Sequence, residues 1–147
     1  MFNSLIEEGK YTILTEPFSV SDQLALIRRL LERGVFYVAV AEDDRTILGM
    51  QLVLPFAELA ALRHVGDIGT YVSSAAHRTG IGRALTERTL EKARKIGFSK
   101  IMAMIRGDNP RARAFYKSIG FSQIGIATKH ALVRGDYIDE VLMERFL

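Results

Sequence analysis

The chain of 147 residues predicts a mixed α/β fold: one sheet with helices on its faces. Two patterns predict it. Val35 to Ala41 (VFYVAVA) and Thr46 to Leu54 are apolar strand runs around the polar stretch Glu42-Asp43-Asp44-Arg45, an antiparallel hairpin. His64 to Ile105 then reads strand, turn, helix, strand, which is one parallel crossover. The full predicted order is β, α, β, β, β, α, β, α, β, β.

Tyr11 to Thr15 is a short strand by pattern. Pro17 to Ser21 is a turn in which Ser19 or Ser21 can cap a helix. Leu24, Ile27, Leu30 and Leu31 share one face of that helix, and Gly34 stops it. Val35 to Ala41 is apolar nearly throughout, which predicts a strand buried on both faces. Pro55 to Arg63 fits either a loop or a short helix. His64 to Val72 is the next strand.

Ser73 to Thr79 forms a seven-residue turn, and Gly80-Ile81-Gly82 opens a helix. Ile81, Leu85, Ala93 and Ile96 fall on one side, with Leu90 widening the stripe. Arg94 and Lys95 suit the last turn, and Gly97 closes it. Lys100 to Ile105 is a strand. Asn109 then caps a helix with Pro110 as its first residue. Ala112, Phe115 and Ile119 make its core stripe, and Gly120 ends it. Gln123 to Val133 and Tyr137 to Phe146 are two strands around Arg134-Gly135-Asp136.

Composition excludes several function classes. The length suits a single domain, 1–147, with a proper core. No run of 18 apolar residues is present, so no membrane span is expected, and the N-terminus lacks a signal-peptide pattern. The chain has no cysteine and three scattered histidines, so no metal site and a cytoplasmic location are expected. Net charge is +3, but it is uneven: residues 77–117 carry 11 Lys/Arg against 3 Asp/Glu, a balance of +8, and the remainder −5. A basic half holding an anionic ligand beside an acidic half meeting a cationic one fits this. Solvated basic helix faces fit it equally. The helix 82–96 has no aromatics among its basic residues, so a single-stranded nucleic-acid platform is not expected.

The chemistry concentrates at the start of the helix at Gly80. The first N–H groups of a helix lack partners, the dipole adds positive charge, and glycines leave the backbone open. Arg78 and Arg83 flank the turn. This is a candidate anion cradle, although glycines placed for tight packing explain the pair as well. A dinucleotide fingerprint is excluded because seven residues separate Val72 from Gly80 and Leu85 stands at the third glycine position. A P-loop is excluded because Arg83-Ala84 follows Gly82 where Lys-Ser/Thr is needed. Tyr116 lies on the core side of its helix, four residues after Ala112 and three before Ile119.

Together, Gly80-x-Gly82 after a strand and turn, the stretch Asn109 to Phe121 with Tyr116 seven residues after the Asn, and the closing hairpin through Tyr137-Ile138-Asp139-Glu140-Val141-Leu142-Met143 resemble the GNAT superfamily of acetyl-CoA-dependent N-acetyltransferases. The resemblance runs from about Tyr11 to Leu147. It implies a central mixed, mostly antiparallel sheet of about six to seven strands with helices on both faces. It also implies transfer of acetyl from acetyl-CoA to a primary amine, on an amino acid, a small cationic amine or a peptide N-terminus. In that reading the backbone of Tyr71, Val72 and Ser73 pairs with the pantetheine arm. His77, Arg78, Thr79, Gly80, Ile81, Gly82 and Arg83 cradle the pyrophosphate, Asn109 contacts the cofactor, and Tyr116 sits at the thioester sulfur as catalytic acid. The family usually carries Gln or Arg three residues before the first glycine. Here His77 stands there with Arg78 next, so either side chain assists the loop, or the turn is one residue shorter.

The amine must reach the thioester neutral. Asp67, on the strand leading to Val72, Glu58 before it, or water can accept the proton. Proton transfer from a phenol to a thiolate is uphill by about 2 kcal/mol for ordinary groups. A non-catalytic acyl-CoA-binding domain is the rival reading, and a basic nucleic-acid-binding domain a third. The C-terminal edge strand offers a surface on which two chains could pair as a homodimer.

Overall fold

The structure is a computed structural model that describes residues 1–43 and 45–147. Asp44, in the predicted polar turn, lies outside the described residues. Helix α1 (Phe2–Glu8) and helix α2 (Val20–Arg33) precede the sheet. Strands β1 (Val35–Val40), β2 (Ile47–Pro55) and β3 (Val65–Val72) lead to helix α3 (Ile81–Lys95) and strand β4 (Lys100–Arg106). Helix α4 (Pro110–Ser118) and strands β5 (Ser122–Val133) and β6 (Asp136–Phe146) complete it. The sheet has six strands in the order β1-β2-β3-β4-β6-β5. Every pair is antiparallel except β3 with β4. This is the mixed, mostly antiparallel α/β sheet that the element order predicts.

Local rules produced much of this. Ser19 caps α2, its hydroxyl accepting from Asp22 N while the Asp22 carboxylate reaches back to Ser19 N, a capping box. Asn109 Oδ1 accepts from Ala112 N at 3.1 Å, with Pro110 in the first turn of α4. Arg134 and Gly135 both have positive φ, 53° and 95°, and form the two-residue turn that joins β5 to β6.

Three expectations are corrected. Tyr11 to Thr15 is not a strand. Its backbone is held by side chains instead: Arg106 Nη1 donates to the carbonyls of Gly9 and Thr12, and Thr12 Oγ1 accepts from Leu14 N. The element there is α1, whose Phe2, Leu5 and Ile6 are buried at i, i+3 and i+4 and which ends on Gly9 at φ 65°. Strand β1 is not buried throughout. It forms one edge of the sheet, and Tyr37, Val38 and Val40 are exposed. Its apolar run reflects strand propensity rather than burial on two faces. Ile96 leaves the predicted α3 stripe at 42% exposure. The α3 face is completed by buried Thr86 and Thr89. The stretch 55–63 holds one short 3-10 turn, Ala60–Leu62.

The core that positions the site lies between α3, α4 and one sheet face. Val53, Ile68, Leu90, Ala93, Ile101, Ala103, Ile105, Tyr116, Phe121, Val141 and Met143 belong to it. The opposite face packs Met50 and Tyr71 on Phe2 and Ile6 of α1. Among the described residues no helix is long and apolar enough to cross a membrane.

Candidate active site

Strands β3 and β4 pair only at Val65–Lys100, Gly66–Ile101 and Asp67–Met102. Beyond Asp67, β3 continues along β2 and β4 continues along β6, with no pairing between them. The sheet therefore forks. Ser73 N donates to Leu48 O on β2 at 2.8 Å. By the two-residue alternation of a strand, the N–H groups of Val72 and Thr70 point the other way, into the fork.

A cleft of about 350 Å³ fills the fork and passes along the start of α3. Tyr71, Val72, His77, Arg78, Gly80, Ile81, Gly82, Arg83, Asn109 and Tyr116, all expected at the site, line it. So do Thr70, Arg111, Phe115, Leu5 and Tyr11, which sequence reasoning passed over. Ser73 and Thr79 do not line it. Thr79 Oγ1 instead donates to Ala76 O at 2.7 Å and braces the turn.

The two glycines serve different ends. Gly80 is the N-cap of α3 at φ 88°, and a Cβ there would meet nothing within 4 Å, so it is required for its left-handed backbone. Gly82 is helical, and a Cβ on it would stand 3.1 Å from Phe115 Cε2, so it permits close packing of α3 on α4. Among the described residues no side chain caps α3. The N–H groups of Ile81, Gly82 and Arg83 are left without intrahelical partners at the cleft, because the first helical bond runs from Ala84 N to Gly80 O. Arg78 and Arg83 add charge beside them. This donor set suits a phosphate anion.

His77 ties the turn to α4. Arg111 Nη1 donates to His77 Nδ1 at 2.8 Å, and since a guanidinium cannot accept, His77 is the Nε2–H tautomer. Its Nε2–H donates to Val72 O at 3.1 Å. Asn109 uses Oδ1 for the helix cap, so its amide N–H groups remain for the cleft.

Tyr116 is buried, and its hydroxyl lies 2.9 Å from Thr70 Oγ1. Burial pushes this phenol well above its ordinary range. The Thr70 hydrogen bond pulls it back in part, while Tyr71 and Asp67 push it further. Asp67 stands at the last rung of the fork, outside the lining of the cleft. It shares the opposite sheet face with Tyr71, and so does Glu140, which alternates with core residue Val141 on β6. Burial first and the Glu140 charge second push Asp67 up to about 6. The Tyr71 hydroxyl is pushed up to about 12 by burial and then by Asp67. Glu140 is 3% exposed, with His130 Nε2 at 3.7 Å. Glu58, the other carboxylate considered, is exposed in the 55–63 loop and does not line the cleft.

The arrangement therefore has two sides. Bare amides, arginines and a phenol lie along α3 and α4. The carboxylates of half-buried Asp67 and buried Glu140 lie on the α1 side, and the fork connects the two.

A profile of the acetyltransferase (GNAT) family matches residues 3–121. The chain is 30% identical to an L-amino acid N-acetyltransferase of Escherichia coli over 118 residues, 80% of this chain and 72% of that protein. It is also 30% identical to a mycothiol acetyltransferase of Beutenbergia cavernae over 61% of this chain, a match that spans only 29% of that relative's length. Its fold superposes with a TM-score of 0.92 on a GNAT superfamily phosphinothricin acetyltransferase from Sinorhizobium meliloti solved with AcCoA. That match has 23% identity and covers 99% of this chain and 79% of the other.

Proposed function

The chain belongs to the acetyltransferase (GNAT) family, and from that premise we propose that it transfers acetyl from acetyl-CoA to a primary amine by direct attack. The observation that carries the reading is the single cleft lined by both the unpartnered α3 amides and Tyr116. The residues fit the donor. Bare N–H groups at Ile81, Gly82 and Arg83, with Arg78 and Arg83 beside them, suit a pyrophosphate, and the fork amides of Thr70 and Val72 suit an amide-bearing arm. Asn109 adds amide donors at the same wall.

In this mechanism the amine enters from the α1 side. Asp67, directly or through water, takes the proton that the amine nitrogen loses. Nitrogen bonds to the thioester carbon, the Val72 N–H donates to the oxygen on which charge develops, and the proton still in excess on the nitrogen passes to solvent as the amide forms. The C–S bond then breaks, and the sulfur receives the hydrogen bond of Tyr116 and finally a proton. Because burial raises the Tyr116 hydroxyl, full transfer from it is more uphill than for an ordinary phenol. Donation during bond cleavage, with the proton replenished from solvent, carries its role.

Half-buried Asp67 and buried Glu140 on this side support a cationic acceptor. An L-amino acid N-acetyltransferase among the relatives supports amino acids as acceptors, beside small polyamines and peptide N-termini. A cytoplasmic location and a homodimer that pairs through the β5 edge, where Ile124 and Ile126 are exposed, belong to the same proposal. The test is thiol release from acetyl-CoA with L-amino acids, polyamines, aminoglycosides and peptides. Turnover with any of them is expected. Tight acetyl-CoA binding with no turnover on any would replace the reading with a non-catalytic acyl-CoA-binding domain.

A further inference from the structure

Gln51 sits in the middle of β2 among Met50, Leu52 and Val53, and it is 0% exposed. A fully buried amide needs a reason. Its Nε2 donates both hydrogens, one to Thr70 Oγ1 at 2.8 Å and one to Thr86 Oγ1 at 2.9 Å. Thr86 passes its own hydrogen to Gly82 O at 2.8 Å, so its oxygen must receive one from Gln51. Turning the amide round would take that hydrogen from Gly82 and orphan two donors in place of one oxygen, so the orientation is set by the threonines. Among the described residues Gln51 Oε1 is left buried and unpartnered, a penalty that packing alone would not select.

The direction of donation continues to the cleft. Thr70 already accepts from Gln51 and has one hydrogen to give. Its partner at 2.9 Å is the Tyr116 hydroxyl. The contact permits either direction: if Tyr116 donated, the Thr70 oxygen would accept twice and the threonine hydrogen would turn to the cleft instead. With Thr70 donating, Tyr116 oxygen accepts, and its own hydrogen is free in the cleft that both residues line.

We propose that Gln51 and Thr70 are positioning residues that supply a hydrogen bond to the Tyr116 oxygen and so turn its proton toward the thiol group of a bound coenzyme A. The proposal rests on the acid role given to Tyr116 above. No bond changes at Gln51 or Thr70. Donation runs outward from the Gln51 amide, through Thr86 to the carbonyl of Gly82 and through Thr70 toward the phenol, so the start of α3 and the phenol are held by one hydrogen-bonded chain.

The test uses coenzyme A itself as the probe and needs no acceptor. The chain has no cysteine, so the ultraviolet absorbance of thiolate reports only the cofactor once the cofactor-free protein is subtracted. A hydrogen bond to a thiolate lowers the pKa of the bound thiol by about one unit, from an ordinary ~8.5. In the wild type that lowering is expected in full, and in Tyr116→Phe it is lost. Thr70→Val should lose more than half of it with coenzyme A affinity unchanged within about twofold. Thr70→Ser should restore it, and Thr70→Val should add nothing in the Tyr116→Phe background. Gln51→Met should act in the same direction, with a thermal melt confirming that it folds.

If Tyr116→Phe leaves the bound thiol unchanged, the acid role fails and the relay with it. If Tyr116→Phe raises the thiol pKa but Thr70→Val does not, or adds to it independently, the acid role stands and the relay alone is overturned.

Discussion

Gly82 on α3 and Phe115 on α4 are in contact so close that a methyl on the glycine would stand 3.1 Å from the ring. The two residues also line the cleft. Gly82→Ala therefore wedges the helices apart at the donor site. Overpacking of this kind costs about 1–3 kcal/mol, less up to ~1 kcal/mol of gain in helix propensity. Acetyl-CoA affinity should fall several-fold, by calorimetric titration, with a small drop in melting temperature. Gly80→Ala is the contrasting case, because only its left-handed backbone is strained. It should cost about 1 kcal/mol, and Gly80→Asn less.

Tyr116→Phe should lower kcat about 10- to 100-fold, within or just below the usual contribution of a general acid. Acetyl-CoA affinity should stay within about twofold, since only one hydroxyl is removed from the wall. Steady-state kinetics with an acceptor from the amine panel separates the two constants. Full activity would remove Tyr116 from the mechanism.

The raised Asp67 carboxyl makes two linked predictions. A base titrating at about 6 gives a kcat/KM that rises with pH through that value, and Asp67→Asn should flatten this acid limb. Stability runs the other way. The folded-state value lies above the ordinary 3.8, so the protonated form favours folding, and stability is lost as pH rises from about 4 through about 6. Asp67→Asn should thus be more stable than wild type at pH 7–8, on the order of 1–2 kcal/mol, with the gain vanishing toward pH 4. Denaturant melts across that range check it.

Arg106 is 7% exposed. It pairs with Asp108 while donating to the carbonyls of Gly9 and Thr12. Arg106→Met removes the clamp on the segment that follows α1 and leaves two carbonyls unmet. The expected loss is about 2–3 kcal/mol in denaturant unfolding. Amide exchange should speed up at residues 2–12 before the sheet opens.

The elements that could be read in advance are those governed by neighbours in sequence. Asn109-Pro110, Arg134-Gly135 and Gly80 each demand a local backbone conformation that few residue types supply. Strand β1 was misjudged because an apolar edge strand and an apolar central strand look alike along the chain. Tyr11 to Thr15 was misjudged because its hydrogen-bond partners, led by Arg106, lie almost a hundred residues away. Thr70 and Gln51 carried no motif, and a single polar residue in an apolar strand was their only trace. Arg111 was within reach, since it precedes Tyr116 on the helix and faces the same cleft.

By itself the sequence determined the order of elements from α2 onward, the caps and the chemical types available at the cleft. Each of these follows from steric and hydrogen-bonding rules that act within one turn. Tertiary structure decided where β3 and β4 part, which amides face the fork, that Thr70 and Tyr116 meet at hydrogen-bond distance and how far Asp67 is raised. Those depend on dielectric and on partners brought together from distant strands, and no local pattern encodes them.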